Sequence, residues 1–234
     1  CEPPLLLWPA TMNVHPIDLA DLTTHELGAM PARSVALLPV GSVEPHGPHL
    51  PLGTDTLLSV EACRRAVAVL RARGLFTLVA PPVPYGVTDF AAGFPGALSV
   101  EASVLTALLR GLIGALHQSG FAHVCLVNNH LEPAQDAAVR AALEGAPPGS
   151  ASVACPLTRR WARTLSDEFK RGNCHAGRYE TSLVLAAGGA VREGYGSLPA
   201  LATSLSEGIR AGKNTFAEMG MALAYTGAPA DASA

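Results

Sequence analysis

Short, uninterrupted apolar runs recur along this chain, each closed by turn residues and separated by longer segments of helical periodicity. Residues 34–40 read SVALLPV and stop at Gly41-Ser42; residues 75–80 read LFTLVA and stop at Pro81-Pro82; residues 121–127 read FAHVCLV. The first is a continuous apolar run rather than an alternating one and reads as a strand covered on both faces; the other two read as further strands. Residues 55–73 carry apolar side chains at helical spacing, with Gly74 placed as a C-terminal cap. Ser99 is the expected N-cap of a second helix reaching about residue 118, with Glu101 in the first turn where the helix dipole favours it. A third helix is expected over 132–143, a weaker strand over 151–156 and a last apolar helix over 181–187. This alternation predicts an α/β class: a single-domain layered fold with a mostly parallel sheet flanked by helices. In such sheets ligands bind beyond the carboxyl ends of the strands.

A chain of 234 residues is long enough for one sizeable core. We expect the domain over 31–226, an N-terminal segment, 1–30, packing on it, and a frayed Ala/Gly/Pro-rich tail over 227–234. Hydrophobic residues make up 49% of the chain, which excludes a disordered polymer. A net charge of -3 without a basic run excludes a nucleic-acid binder that works by bulk charge. No run of uncharged apolar residues reaches the length of a membrane span, about 18 residues. Charged residues are only 15%, against about 25% usually, so an oligomer that hides part of the surface is expected. The five cysteines are odd in number, widely spaced and without a CxxC pair; they point to a reducing, cytoplasmic compartment. Cys63 and Cys125 read as small buried hydrophobes. The opening CEPPLLLWPA lacks the basic region of a signal peptide.

Against this sparsely charged background, three polar clusters stand out. Residues 41–55 (GSVEPHGPHLPLGTD) follow the first strand and hold Glu44, His46, His49 and Asp55. Glu44 and His46 are two apart, which in extended backbone puts both on one face. After the third strand comes NNHLE, with His130 and Glu132 again two apart. The first segment alone is equally a loop with an N-cap at Asp55 and solvated polar residues, and a lone His at a strand end is more often a structural hydrogen-bonder; two strand ends that each deliver a His/Glu pair favour metal ligation. Glu44, His46, Asp55, His130 and Glu132 are too many ligands for one zinc with an open position, and suit two metals sharing a carboxylate. The third cluster, CHAGRYETS at 174–182, brings His175, Arg178 and Glu180 to a helix start.

These segments resemble the signature motifs of the creatininase (creatinine amidohydrolase) family. A fourth, Tyr85-Gly86-Val87-Thr88 followed by Phe94-Pro95-Gly96, resembles the family's loop with a Ser or Thr before an FPG turn. The resemblance runs from about residue 39 to about 185. It implies a layered α/β fold, two divalent metal ions per chain, amide C–N hydrolysis and a homo-oligomer, often a hexamer. Zinc is the first expectation for the metal, with manganese or iron compatible. By the same resemblance Glu44, His46, Asp55, His130 and Glu132 are metal ligands, with Asp55 bridging. His175 is catalytic, Glu132 combines ligation with proton handling, and Glu180 is the acidic residue of the last motif. Thr88 falls near a substrate-contacting hydroxyl.

The chain departs from the family around the substrate. Leu131 replaces an aromatic residue, and residues 170–173 (KRGN) lack the tryptophan that closes over creatinine. Trp161 reads either as a replacement pocket wall or as a half-buried surface aromatic. Arg171 and Arg178 suit a substrate bearing a carboxylate or phosphate. The expected activity is therefore that of a metal-dependent amidohydrolase acting on a small cyclic or linear amide, with creatinine a poor substrate. A precursor-trimming metallopeptidase and a catalytically dead assembly subunit are the alternatives.

Overall fold

The apolar runs form a four-stranded sheet in the computed structural model, which describes residues 16–234. Cys1, the segment CEPPLLLWPA and the rest of residues 1–15 lie outside the described residues. In chain order the elements are α1 (Thr24–Gly28), β1 (Val35–Val40), α2 (Thr54–Ala72), β2 (Thr77–Val79), α3 (Ala102–Gln118), β3 (His123–Asn128), α4 (Pro133–Ala141) and β4 (Ala151–Ala154). Four short helices follow: α5 (Arg159–Ala162), α6 (Asp167–Lys170), α7 (Arg178–Ala186) and α8 (Leu205–Arg210). The sheet order is β2-β1-β3-β4 and every pairing is parallel.

Alternate residues of the strands feed two cores. Ala36, Leu38 and Val40 join Val124 and Leu126 against Leu105, Leu109 and Ile113 of α3 and Ala138 and Val139 of α4. Leu37, Val79 and Val127 face the other way, onto Cys63 and Val67 of α2. Both faces of the central strand β1 are thus covered, and its sequence, VALLPV, is apolar throughout. Residues 16–18 protect the β2 edge, where Val79 N donates to the Ile17 carbonyl (2.8 Å).

The topology sets where a site can form. Val40 pairs with Asn128, so the loops after β1 and β3 leave the sheet side by side. The chain passes from β1 to β2 on one flank and from β3 to β4 on the other, leaving a crevice at this switch point. Gln135, fully buried on α4, ties the loops together: Val87 N donates to its Oε1 (2.8 Å) and its Nε2 donates to the Gly41 carbonyl (3.3 Å). At Gly41 the β1 loop passes so close to α2 that a Cβ would stand 2.5–2.7 Å from the side chain and backbone of Thr56.

Several sequence expectations are corrected. Ser99 does not cap α3; it accepts from Thr88 N (3.0 Å) and donates to Asp89 (2.7 Å), while Glu101 occupies the N-cap position without a side-chain capping bond. Helix α7 begins at Arg178, three residues before the expected start, because its first turn is polar and carries no apolar period. The tail composition suggests fraying from 227, yet Pro229 is buried, Ala228 N donates to Glu168 (3.0 Å) and Ser233 N donates to Ser182 (3.1 Å).

The close approach at Gly41 makes a stability prediction. Gly41→Ala should destabilise by roughly 1–3 kcal/mol, as overpacking against rigid backbone does. Gly111→Ala, in the middle of α3 with open space around it, should stabilise by about 0.4–1 kcal/mol. Urea denaturation of the two variants should give shifts of opposite sign.

Candidate metal centre

The loop after β1 delivers two side chains to the crevice and the first turn of α2 delivers a third. His46 Nδ1 donates to the backbone carbonyl of Glu44 (3.1 Å), which turns its Nε2 inward. That nitrogen faces Asp55 Oδ1 at 3.2 Å, Glu180 Oε2 at 3.6 Å and Glu44 Oε1 at 3.8 Å. His130, from the loop after β3, mirrors this arrangement. Its Nε2 donates to the Val87 carbonyl (2.7 Å), and its Nδ1 lies 3.1 Å from Asp55 Oδ2 and 3.3 Å from Glu44 Oε1. Glu180 enters from α7, its Oε2 accepting from Ala176 N (2.7 Å). Ser42 donates to Asp55 Oδ2 (2.6 Å), and the Thr88 hydroxyl donates to Glu44 Oε2. None of the five residues is more than 3% exposed.

Two groups of potential ligand atoms result, Glu44/Asp55/His130 and His46/Asp55/Glu180, each with its atoms within 4.8 Å of one another. Asp55 belongs to both and directs one oxygen at each histidine. In each imidazole one N–H is committed to a backbone carbonyl while the other nitrogen points into carboxylate oxygens, the orientation that a metal-ligating histidine takes. The donor set therefore fits two divalent cations sharing Asp55. A third group, Glu44/His46/His175, overlaps the first two.

The electrostatics follow from crowding buried charge. Burial opposes a charge on His46, but Asp55, Glu180 and Glu44 outweigh it and hold the ring up at about 10. Burial likewise opposes a charge on His130, and Glu44 and Asp55 raise it well above the ordinary value. Burial would raise the Asp55 and Glu44 carboxyls, yet the histidines pull both below the usual range. Glu180 rises to about 8 through burial, with Asp55 and Glu44 adding to the shift. Burial alone dominates at Glu132, which is pushed up to about 7.

The crevice opens into a cleft of about 170 Å³ whose floor is charged and whose walls are apolar: Phe90, Leu131, Phe169, Leu205, Ile209 and Phe216. His175 borders it. Its Nε2 donates to the Pro45 carbonyl (3.0 Å), and its ring lies 4.6 Å from His46 and 4.5 Å from Phe216, centre to centre. Burial and neighbouring His46 lower it to about 4, so its ring is neutral at neutral pH.

Glu44, His46, Asp55 and His130 lie together as the sequence predicts, and Glu180 joins them. Glu132 is in none of the ligand groups. It is the N-cap residue of α4, and its carboxylate accepts from Asp89 N and Phe90 N, each 3.1 Å. Thr88 spends its hydroxyl on Glu44. Leu131 lines the cleft, whereas Arg171 and Arg178 line a separate, polar trough. Trp161 is exposed, stacked on Arg160 at 4.7 Å, and is no part of the cleft wall. The sequence reading missed Phe90, Phe169 and Phe216 as walls, because nothing in their local pattern separates them from core residues.

The family model for creatininase, creatinine amidohydrolase, matches residues 20–234. The chain belongs to the creatininase family. It is 32% identical over 174 residues to a mycofactocin precursor peptide peptidase of Mycolicibacterium smegmatis, covering 73% of this chain and 64% of that protein. It is 31% identical over 123 residues to the creatinine amidohydrolase of Pseudomonas putida, covering 50% and 45%. The chain thus spans less than two thirds of the length of the curated relatives it matches. A solved manganese creatininase superposes with a TM-score of 0.61 at 25% identity, covering 74% and 73%. Among the described residues no helix is long and apolar enough to cross a membrane.

This creatininase-family site is held to the sheet by Ser59 of α2, which is fully buried. Its hydroxyl donates to the Val40 carbonyl (2.7 Å) and accepts from Asn129 N (3.1 Å). Ser59→Ala removes these bonds and a third from Asn129 Nδ2 (3.2 Å), and should cost about 1–3 kcal/mol. Denaturant midpoints of wild type and variant check this; an unchanged midpoint would show that the two strand ends are held by other contacts.

Proposed function

We propose that this chain is a metal-dependent hydrolase of an amide C–N bond whose substrate presents an apolar group beside the cleaved bond, and that its substrate is a peptide. The observation that carries the reading is the pair of ligand groups sharing Asp55 on the floor of an apolar cleft. Glu44, Asp55 and His130 would hold one divalent ion, and His46, Asp55 and Glu180 the other. When bound, such a pair supplies a water acidified to near neutrality and Lewis acidity for the carbonyl oxygen. Zinc and manganese are the candidates, since solved relatives are described as a manganese creatininase and as a Zn-Zn type.

The remaining groups divide the proton work. Glu132 lies at the cleft with a carboxyl near 7, matched to taking a proton from an attacking water and returning it to the leaving nitrogen. His175 is neutral with its Nε2–H bound to the Pro45 carbonyl, which leaves Nδ1 to accept a hydrogen bond from the reacting groups. Phe216, stacked on His175, keeps that ring in place and water away from it.

A volume of about 170 Å³ is close to that of a cavity that binds benzene, about 150 Å³. The cleft thus takes one ring or one branched side chain, while the rest of a larger substrate lies outside. The relative named as a precursor peptide peptidase, matched over 73% of this chain, supports the peptide. The second reading is a small cyclic amide. Phe90 and Phe216 favour it, because they supply aromatic walls that residues 170–173 do not.

Three measurements test this. Asp55→Ala should lose both metal ions by elemental analysis; full metal content would rule out the shared carboxylate. Glu132→Gln should keep its metal and lose roughly 10²–10⁴ in kcat. Metal-loaded protein should cleave peptides with an apolar residue beside the scissile bond at a kcat/KM at least about tenfold above that for creatinine, a difference of about 1.4 kcal/mol. The reverse order would favour the cyclic amide.

A further inference from the structure

The cleft over the metal-binding groups adjoins a second depression. This trough, about 790 Å³, is polar where the first is apolar, and the two share Lys170 and Ser206. The ridge between them is a zipped pair of segments. Leu205 N donates to the Gly172 carbonyl (2.8 Å), Ser204 donates to the Arg171 carbonyl (2.8 Å), and Asn173 Nδ2 donates to the Thr203 carbonyl (2.9 Å). Gly172 has φ +78 and a Cβ there would stand 2.6 Å from the Ser206 hydroxyl, so the two segments approach as closely as a glycine allows.

Four cations and four anions line the trough, but they are not equally available. Lys170 pairs with Asp167 (3.5 Å). The Glu168 carboxylate is taken up by backbone, accepting from Tyr179 N (2.9 Å) and Ala228 N (3.0 Å). Arg210 Nε donates to the Ser206 carbonyl (3.1 Å). Arg171 and Arg178 are exposed, and among the described residues neither guanidinium has a hydrogen bond or ion pair. Glu207 and Asp231 are the opposing charges left.

We infer that the trough is a binding site for the part of a peptide substrate that extends past the apolar cleft, and that Arg171 and Arg178 hold a carboxylate of that peptide. This rests on the peptide reading above. A cleft with room for one side chain leaves the rest of a peptide to run over the ridge at Lys170 and Ser206. The trough beyond offers backbone-sized space and unpaired guanidiniums, whose planar donors match a carboxylate. The carboxylate is either the peptide's terminus or an Asp or Glu side chain, the same chemistry from two sources.

The experiment uses fluorescent peptides with one scissile sequence and a distal segment of varied charge. One arm removes the terminal carboxylate by amidation, and another replaces distal Asp and Glu with Asn and Gln. Binding to the protein is read by anisotropy, and turnover by metal-loaded protein is read alongside. The Arg171→Ala/Arg178→Ala double variant should weaken binding of the carboxylate peptide and raise its KM by roughly three- to tenfold with kcat unchanged, the mark of uniform binding energy. Whichever arm abolishes that difference identifies the carboxylate, and a neutral short peptide should not distinguish wild type from variant. Equal affinities for charged and neutral peptides in both proteins would overturn the trough assignment while leaving peptide cleavage intact. Turnover of small amides with no peptide cleaved would overturn the peptide reading and the trough with it.

Discussion

Three carboxylates, Glu44, Asp55 and Glu180, are packed on two imidazoles with almost no solvent contact. An isolated ion taken out of water costs several kcal/mol even after relaxation, so each of these charges must be answered locally. The surrounding structure supplies the answers. Ser42 donates to Asp55, Thr88 to Glu44 and the Ala176 amide to Glu180, while the outer N–H of each histidine is absorbed by a backbone carbonyl. Ala176 itself has φ +51, a left-handed conformation that alanine rarely takes. Strain of this kind is of order 1 kcal/mol. It aims the amide at a carboxylate, and hydrogen bonds to ions are roughly twice as strong as neutral ones.

Apolar walls above such a floor are part of the same arrangement. Water is the main screen between charges, and excluding it strengthens each interaction at the bottom of the cleft. The same exclusion raises Glu132, which has two backbone amides for partners but no cation among its strongest influences except His130. Two glutamates in one site thus differ by environment: one beside the histidines and Asp55, the other at the cap of a helix.

The sheet and its order of elements are legible in the sequence because strands covered on both faces must be mostly apolar, as 34–40 and 121–127 are despite Ser34 and His123. Glu44, His46, Asp55 and His130 are legible because they follow strand ends, where an α/β sheet opens. What was not legible depends on direction rather than position. The Glu132 side chain makes no capping bond to α4 and turns instead to the amides of residues 89 and 90, and Glu180 turns inward because Ala176 presents its amide. Neither turn has a local sequence signal. The aromatic walls come from residues 90, 169 and 216, and a contact across 126 residues leaves no periodic trace. The short helices α5, α6 and α8 have too few residues to show one.

A parallel sheet has two ends of unlike character. All the chemistry-bearing side chains gather beyond the carboxyl ends of β1 and β3, so the loops entering the strands stand at the opposite pole. The one entering β4 carries Gly145 and Gly149, both with open space around them. That loop is a natural graft point: an inserted tag, a fluorophore site or a surface tether placed there would leave the crevice, the cleft and the trough free to face bulk solution.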